Sequence, residues 1–154
     1  MAEYGLTTLG VTVGYGAEET AGTKPASLTT LTRINSIGEI SIDSEAIDVS
    51  ALEDYVTRYK AGRANPSETI DVVVNVTDET TTAWGALITA YEALTGGKGM
   101  WLEIIVPGLT KAFWVKFQPP RKLPVPSMDQ NANLTMSISL VVNDWDFDTK
   151  VSLT

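Results

Sequence analysis

The chain has 154 residues, of which 44% are apolar; that is enough for a hydrophobic core and too apolar for a disordered segment. It holds no cysteine and no histidine, which excludes disulfide frameworks, thiolate or imidazole metal sites and the commonest general base near neutral pH. Nineteen acidic against eleven basic residues give a formal net charge of −8, the wrong sign for tight binding to a phosphate backbone.

No apolar run approaches the roughly 20 residues that cross a bilayer. The opening Met1–Gly5 has no basic-then-apolar pattern, so no secretory leader is expected. The whole chain, 1–154, reads as one domain.

Residues 1–27 are rich in Gly, Thr and Ala, with Gly10, Gly14, Gly16 and Gly22 around a short apolar stretch and Pro25 closing it. This composition predicts an extended N-terminal arm, too glycine-rich for a helix and too weakly apolar for a central strand. From Leu28 to Ile42 the density of Thr, Ile and Leu predicts strand, with a bend at Gly38. Residues 43–66 form a polar excursion without a core pattern and are read as a projecting loop. Within it, Glu45–Val49 suggests a short strand, and Ser50 with Glu53 three residues later suggests a capping box opening a short helix that Gly62 and Asn65-Pro66 end.

Glu68–Val76 alternates as a strand, with Ile70, Val72, Val74 and Val76 on one face. Asp78 is the expected N-cap of a helix to about Thr95, with Trp84, Leu87, Ile88, Tyr91 and Leu94 at helical spacing and Gly96-Gly97 as the stop. Met100–Val106 and Ala112–Phe117 predict a hairpin around Pro107-Gly108. Pro119, Pro120, Pro124 and Pro126 make a stiff connector, expected to cross between sheets. Leu134–Val142 predicts a last long strand, and 144–154 a C-terminal arm. Few elements alternate as βαβ, so the fold class is mainly β: an antiparallel β-sandwich or partly closed barrel with one flanking α-helix and a long projecting loop.

Recognisable catalytic chemistry is sparse. No GxSxG, P-loop or triad pattern occurs. Asp43, Glu45 and Asp48 are the carboxylates a hydrolase would draw on, but their alternation suits a solvated face. Asn143–Asp148 alternates acids without the glycine and closing glutamate of a calcium loop. No cofactor, metal or catalytic residue is expected. Lys116, Arg121 and Lys122 form a small basic cluster beside prolines, read as solvated charge or an intersubunit partner.

Ile34-Asn-Ser-Ile37, then Glu45-Ala-Ile-Asp48-Val-Ser-Ala-Leu52-Glu-Asp54, then Arg58-Tyr59-Lys-Ala-Gly62 resembles a signature of siphophage major tail tube proteins, in which a strand leads into Ile-Asp-Val-Thr-x-Leu-x-Asp and then Arg-x-x-x-Gly. The opening Gly10-Val-Thr-Val-Gly-Tyr-Gly16 is similar too, as is the later order of strand, helix, hairpin and long final strand. The proline-rich connector and Asn65-Pro66 depart from that pattern. The resemblance implies a self-assembling virion protein, made in the host cytoplasm. Its hexameric rings would stack into a tail tube around a tape-measure protein, beside other tail proteins, and later pass DNA through the lumen without specific binding. Type VI secretion tubes share this architecture.

The resemblance also implies that the projecting loop reaches a neighbouring subunit. Leu52, Asp54, Tyr55, Arg58, Tyr59 and Arg63 are the interface candidates, since aromatic and charged groups on an arm supply one of the two non-identical patches that rings need. Asp71, Thr135, Ser137 and Ser139 are candidates for a polar lumen lining that repels DNA. An alternative is a β-sandwich binding module, carbohydrate-binding or adhesin-like, that stacks ligands on Trp101, Trp114 or tyrosines.

Overall fold

The computed structural model describes residues 5, 9–66 and 69–151. The first seven of those expected for the arm other than Gly5 and the last of the tail (1–4, 6–8 and 152–154), with the strand start at Glu68, lie outside the described residues. In chain order the elements are β1 (Thr12–Ala17), β2 (Thr29–Leu31), β3 (Ile34–Ile37), β4 (Ile42–Asp48), β5 (Tyr59–Pro66), β6 (Thr69–Asn75), α1 (Asp78–Glu92), β7 (Met100–Ile105), β8 (Lys111–Gln118) and β9 (Thr135–Thr149).

Seven strands make one antiparallel sheet in the order β2-β1-β7-β8-β9-β6-β3, and β4 and β5 make a separate two-stranded ribbon. The fold is mainly β, antiparallel, with one helix and no closed barrel. β2 and β3 lie at opposite edges of the sheet yet only Thr32 and Arg33 separate them. Laid flat, seven strands span about 29 Å at roughly 4.8 Å per interval. Three Cα steps cover at most about 11 Å. The sheet therefore curls until its edges nearly meet, giving two packed layers. Arg33 turns the corner with φ +59°, and its carbonyl accepts the Asn75 N–H at 2.9 Å.

β9 joins the layers on the other side. Its first half pairs with β6, from Asn75↔Thr135 to Thr69↔Val141. Its second half pairs with β8, from Gln118↔Val141 to Lys111↔Thr149. Between Lys116↔Asp144 and Phe117↔Val142 the register shifts by one residue, leaving Asn143 as the bulge. Before it, even-numbered Met136, Ile138 and Leu140 face the core. After it, odd-numbered Trp145 and Phe147 stand opposite Val115 and Phe113. A strand that changes layers at a bulge is how packed sheets make a corner.

Several expectations are corrected here. Thr12–Ala17 is not part of an arm: β1 lies between β2 and β7. Gly16 suits the position because the 25–28 segment crosses directly over it. A Cβ on Gly16 would come within 2.7 Å of both the Leu28 Cδ2 and the Ser27 carbonyl oxygen. Nor is 144–149 an arm; it continues β9 against β8, hidden from simple alternation by the parity change at Asn143. The proline-rich connector joins β8 to β9, neighbours in one continuous sheet rather than strands of separate sheets, and enters β9 at the half that pairs with β6. The helix expected from Ser50 is absent, since Tyr59–Pro66 pairs with β4 instead.

The main core gathers Val13, Leu31, Val72, Val74, Met100, Leu102, Phe117, Ile138 and Leu140, with Trp84 and Leu87 of α1. α1 is capped by Thr77, one residue before the expected cap. Thr77 Oγ1 accepts from the Thr80 N–H at 3.1 Å, and Thr80 Oγ1 accepts from the Thr77 N–H at 2.9 Å, a reciprocal box that satisfies two free donors. A smaller apolar cluster on the other face of the sheet joins Leu28, Trp101, Ala112 and Trp114, with Val151 against it.

Gly16→Ala is expected to lower stability by about 1–3 kcal/mol, the usual cost of overpacking, because backbone as well as side chain blocks the new methyl. Urea denaturation with a reduced midpoint and an unchanged slope checks it.

Candidate functional site

The most prominent surface feature is the β4–β5 ribbon. Its two strands contact each other extensively, and no contact of comparable extent joins either to the rest of the fold. Gly62 fits where the ribbon is tight: a Cβ there would meet Ile47 Cδ1 at 3.0 Å and the Glu45 carbonyl at 3.2 Å, beside a bulge between Ser44 and Ala46.

The loop at the ribbon's end is closed by polar side chains. Asp48 Oδ1 accepts from the Ser50 N–H at 2.9 Å, and Ser50 Oγ accepts from the Arg58 N–H at 2.7 Å. The Ser50 N–H holds the Asp48 carboxyl below its ordinary pKa. Asp54 Oδ2 accepts from the Ala51 N–H at 2.8 Å, and Asp54 pairs with Arg58 at 3.6 Å. This pair is exposed on the arginine side and adds little stability; its effect is on the shape of the loop. With the polar groups turned to the backbone, the apolar ones are left outside. Leu52 is 109% exposed and Tyr55 104%, and Val56, Tyr59, Ile47 and Val49 are exposed as well. The structure thus brings the expected interface residues Leu52, Asp54, Tyr55, Arg58, Tyr59 and Arg63 onto one projecting element. Exposed apolar groups concentrated in this way mark an interaction surface.

Asp71, Thr135, Ser137 and Ser139 also come together, on the outward face of β6 and β9. Asp71 stands opposite Ser139, Val73 opposite Ser137 and Asn75 opposite Thr135. Ser139 Oγ donates to Asp71 Oδ1 at 2.6 Å. Sequence reasoning missed the asparagines that extend this strip: Asn35 and Asn133 both donate to Asn75 Oδ1 at 2.8 Å. The polar break at Asn75 in an otherwise valine-rich strand was the available signal.

Other expected chemistry is placed differently. Trp101 and Trp114 are buried and meet edge to face at 6.4 Å, so neither offers a ligand-stacking platform. Lys24 lies 5.4 Å from the Trp101 ring centre and bridges Asp146 at 2.6 Å and Asp148 at 2.8 Å. Its ammonium is the leading cause that holds both carboxyls below their ordinary pKa. Among the described residues, no three Asp, Glu, His or Cys side chains are grouped to hold a metal. Lys116, expected in a solvated cluster, instead reaches buried Glu18 at 3.2 Å.

Among the described residues the buried acids are Glu18 and Glu103. Burial pushes the Glu18 carboxyl up, but the Gly99 N–H at 2.6 Å and Lys116 outweigh it and leave it below the ordinary value. Burial pushes the Glu103 carboxyl up, and it stays up despite the Val151 N–H at 2.8 Å and nearby Lys150. Glu18 is anchored to the start of β7 and Glu103 to the end of the described chain. Each ties a loop or tail to the sheet.

No protein-family model matches this sequence, and no curated protein does. Solved structures share the fold. A chain in the six-fold symmetrised cryo-EM structure of the anti-feeding prophage baseplate aligns at a TM-score of 0.61 and 11% identity, covering 96% of this chain and 97% of that one. One in the extended sheath–tube complex of PVC, an extracellular contractile injection system, aligns at 0.59 and 17%, covering 96% and 94%. One in the C6 tail of an empty gene transfer agent particle aligns at 0.56 and 14%, covering 90% and 96%. The fold is one found in tail and injection-system particles.

The raised Glu103 carboxyl has a signed effect on stability. It favours the fold fully below the unfolded value of about 4.3, and that contribution is lost as pH rises through the folded value. Glu103→Gln keeps an oxygen for the Val151 N–H and removes the charge. Relative to the parent, its Tm is expected to be higher at neutral pH, with the difference shrinking towards about pH 4. Thermal denaturation of both proteins across that range checks the sign.

Proposed function

We propose that this chain is a structural subunit of a phage-type tail tube. Copies close into hexameric rings, and the rings stack around a tape-measure protein. The finished conduit passes DNA at ejection without binding it. In this reading the protein does no chemistry, is made in the host cytoplasm and ends in the virion tail among other tail proteins.

The observation that carries the reading is the ribbon. It is an apolar-tipped arm that none of the described residues covers, on a fold shared nearly end to end with chains of tail and injection-system particles. An arm on one side and a receiving surface on another make a head-to-tail interface, which closes as a ring or continues as a filament. The Asp71, Thr135, Ser137 and Ser139 strip is the candidate lumen lining. Its carboxylate and hydroxyls, with the net charge of −8, disfavour lasting contact with phosphate.

Negative-stain electron microscopy of concentrated full-length protein is expected to show rings or tubes. A strict monomer, even with its own tail components added, overturns the reading. Leu52→Ser with Tyr55→Ser alters two fully exposed residues, so stability is expected to stay within about 0.5 kcal/mol while rings and tubes are lost. Circular dichroism melting and particle counts on the same sample separate the two effects.

A further inference from the structure

The ribbon leaves the body between the end of β3 and the start of β6, and an apolar groove lies at that same end. Ile37, Ile40, Ile70, Ile104, Phe113 and Trp145 line it, enclosing about 320 Å³. This is within the size range of sites that receive a few side chains. α1 seals the core where β6 ends and β7 begins. Here no described element does so, and Phe113 and Phe147 remain 44% exposed with their tilted rings 4.9 Å apart. An open apolar face on a soluble chain calls for an occupant.

We propose that the groove receives the ribbon tip of a second copy of this chain, with Leu52, Tyr55 and Val56 entering between Ile40, Ile104 and Phe113. The inference rests on the self-assembly reading and adds to it the surface on the partner. Two observations favour this occupant. The tip carries the two most exposed large hydrophobic side chains among the described residues, Leu52 and Tyr55, and no described residue covers them. The arm is long enough to leave its own subunit: β4 alone has seven residues, about 24 Å at strand rise, before the loop begins. If each arm enters the next groove, every tip and every groove in a closed ring is matched.

The chain has no cysteine, so engineered pairs report cleanly. Tyr55→Cys and Phe113→Cys are made as separate full-length proteins, mixed and mildly oxidised. Any disulfide between positions 55 and 113 is then between two copies. Val141→Cys, at an outward site 45% exposed, replaces Phe113→Cys as the control. The 55–113 product is expected to exceed the 55–141 product several-fold, with peptide mapping to confirm the linkage. Equal yields, or no 55–113 product, overturn the inference. Assembly is scored in parallel by microscopy of the unsubstituted protein. Tubes without the 55–113 linkage sink the groove assignment alone, whereas absence of any assembly sinks the tube reading.

Discussion

Thr32 and Arg33 are all that separates β2 from β3, although those strands are the two edges of a seven-stranded sheet. The rest of the architecture follows from that short link. A sheet so tethered must roll up, and a rolled sheet has an inside. Val13 and Leu31 from one edge region and Val72 and Val74 from the other then share a single core with Ile138 of β9. The Asn143 bulge makes the roll possible on the opposite side by letting β9 serve both layers while keeping an apolar face inward throughout.

Rolling the sheet leaves ends to be covered. α1 covers one with Trp84 and Leu87. At the other, the chain spends its length differently: where a second covering element would sit, residues 42–66 run outward as a ribbon. The same choice therefore creates both an exposed apolar arm and an exposed apolar groove. A subunit that kept that length for itself would be complete alone; one that extends it is completed by a neighbour. In the proposed reading, self-assembly would follow from how the core is left unfinished.

The outward face of the sheet is divided in two. Over β1, β7 and β8 it is covered by the 18–28 segment and the end of β9, pinned by Glu18, Lys24 and Glu103. Over β6 and the first half of β9 it is bare and polar. The pinning carboxylates occupy positions where an enzyme's acids might be sought, yet each is tied to backbone N–H groups or a lysine within the same fold. The polar strip is the part of the outward face that the described residues leave uncovered, the candidate lumen lining of the proposed tube.

The sequence by itself determined the elements whose periodicity is local. The valine alternation of β6, the spacing of Trp84, Leu87 and Ile88 and the even-numbered apolar run at Met136–Leu140 depend only on strand or helix period, and each appears where expected. The concentration of exposed groups in the 43–66 segment was legible for the same reason: it has no core pattern to bury. Tertiary structure alone decided what depends on distant neighbours. Gly16 suits an internal strand because Pro25 to Leu28 pass close above it, and residues 144–149 are strand because a one-residue bulge restores their match to β8. Tyr59 to Pro66 pairs as strand, although Ser50 and Glu53 offered a helix start, because β4 supplies a partner across the loop. Local pattern fixes which way a side chain points along its own strand; only the closed shape determines which strand lies beside it.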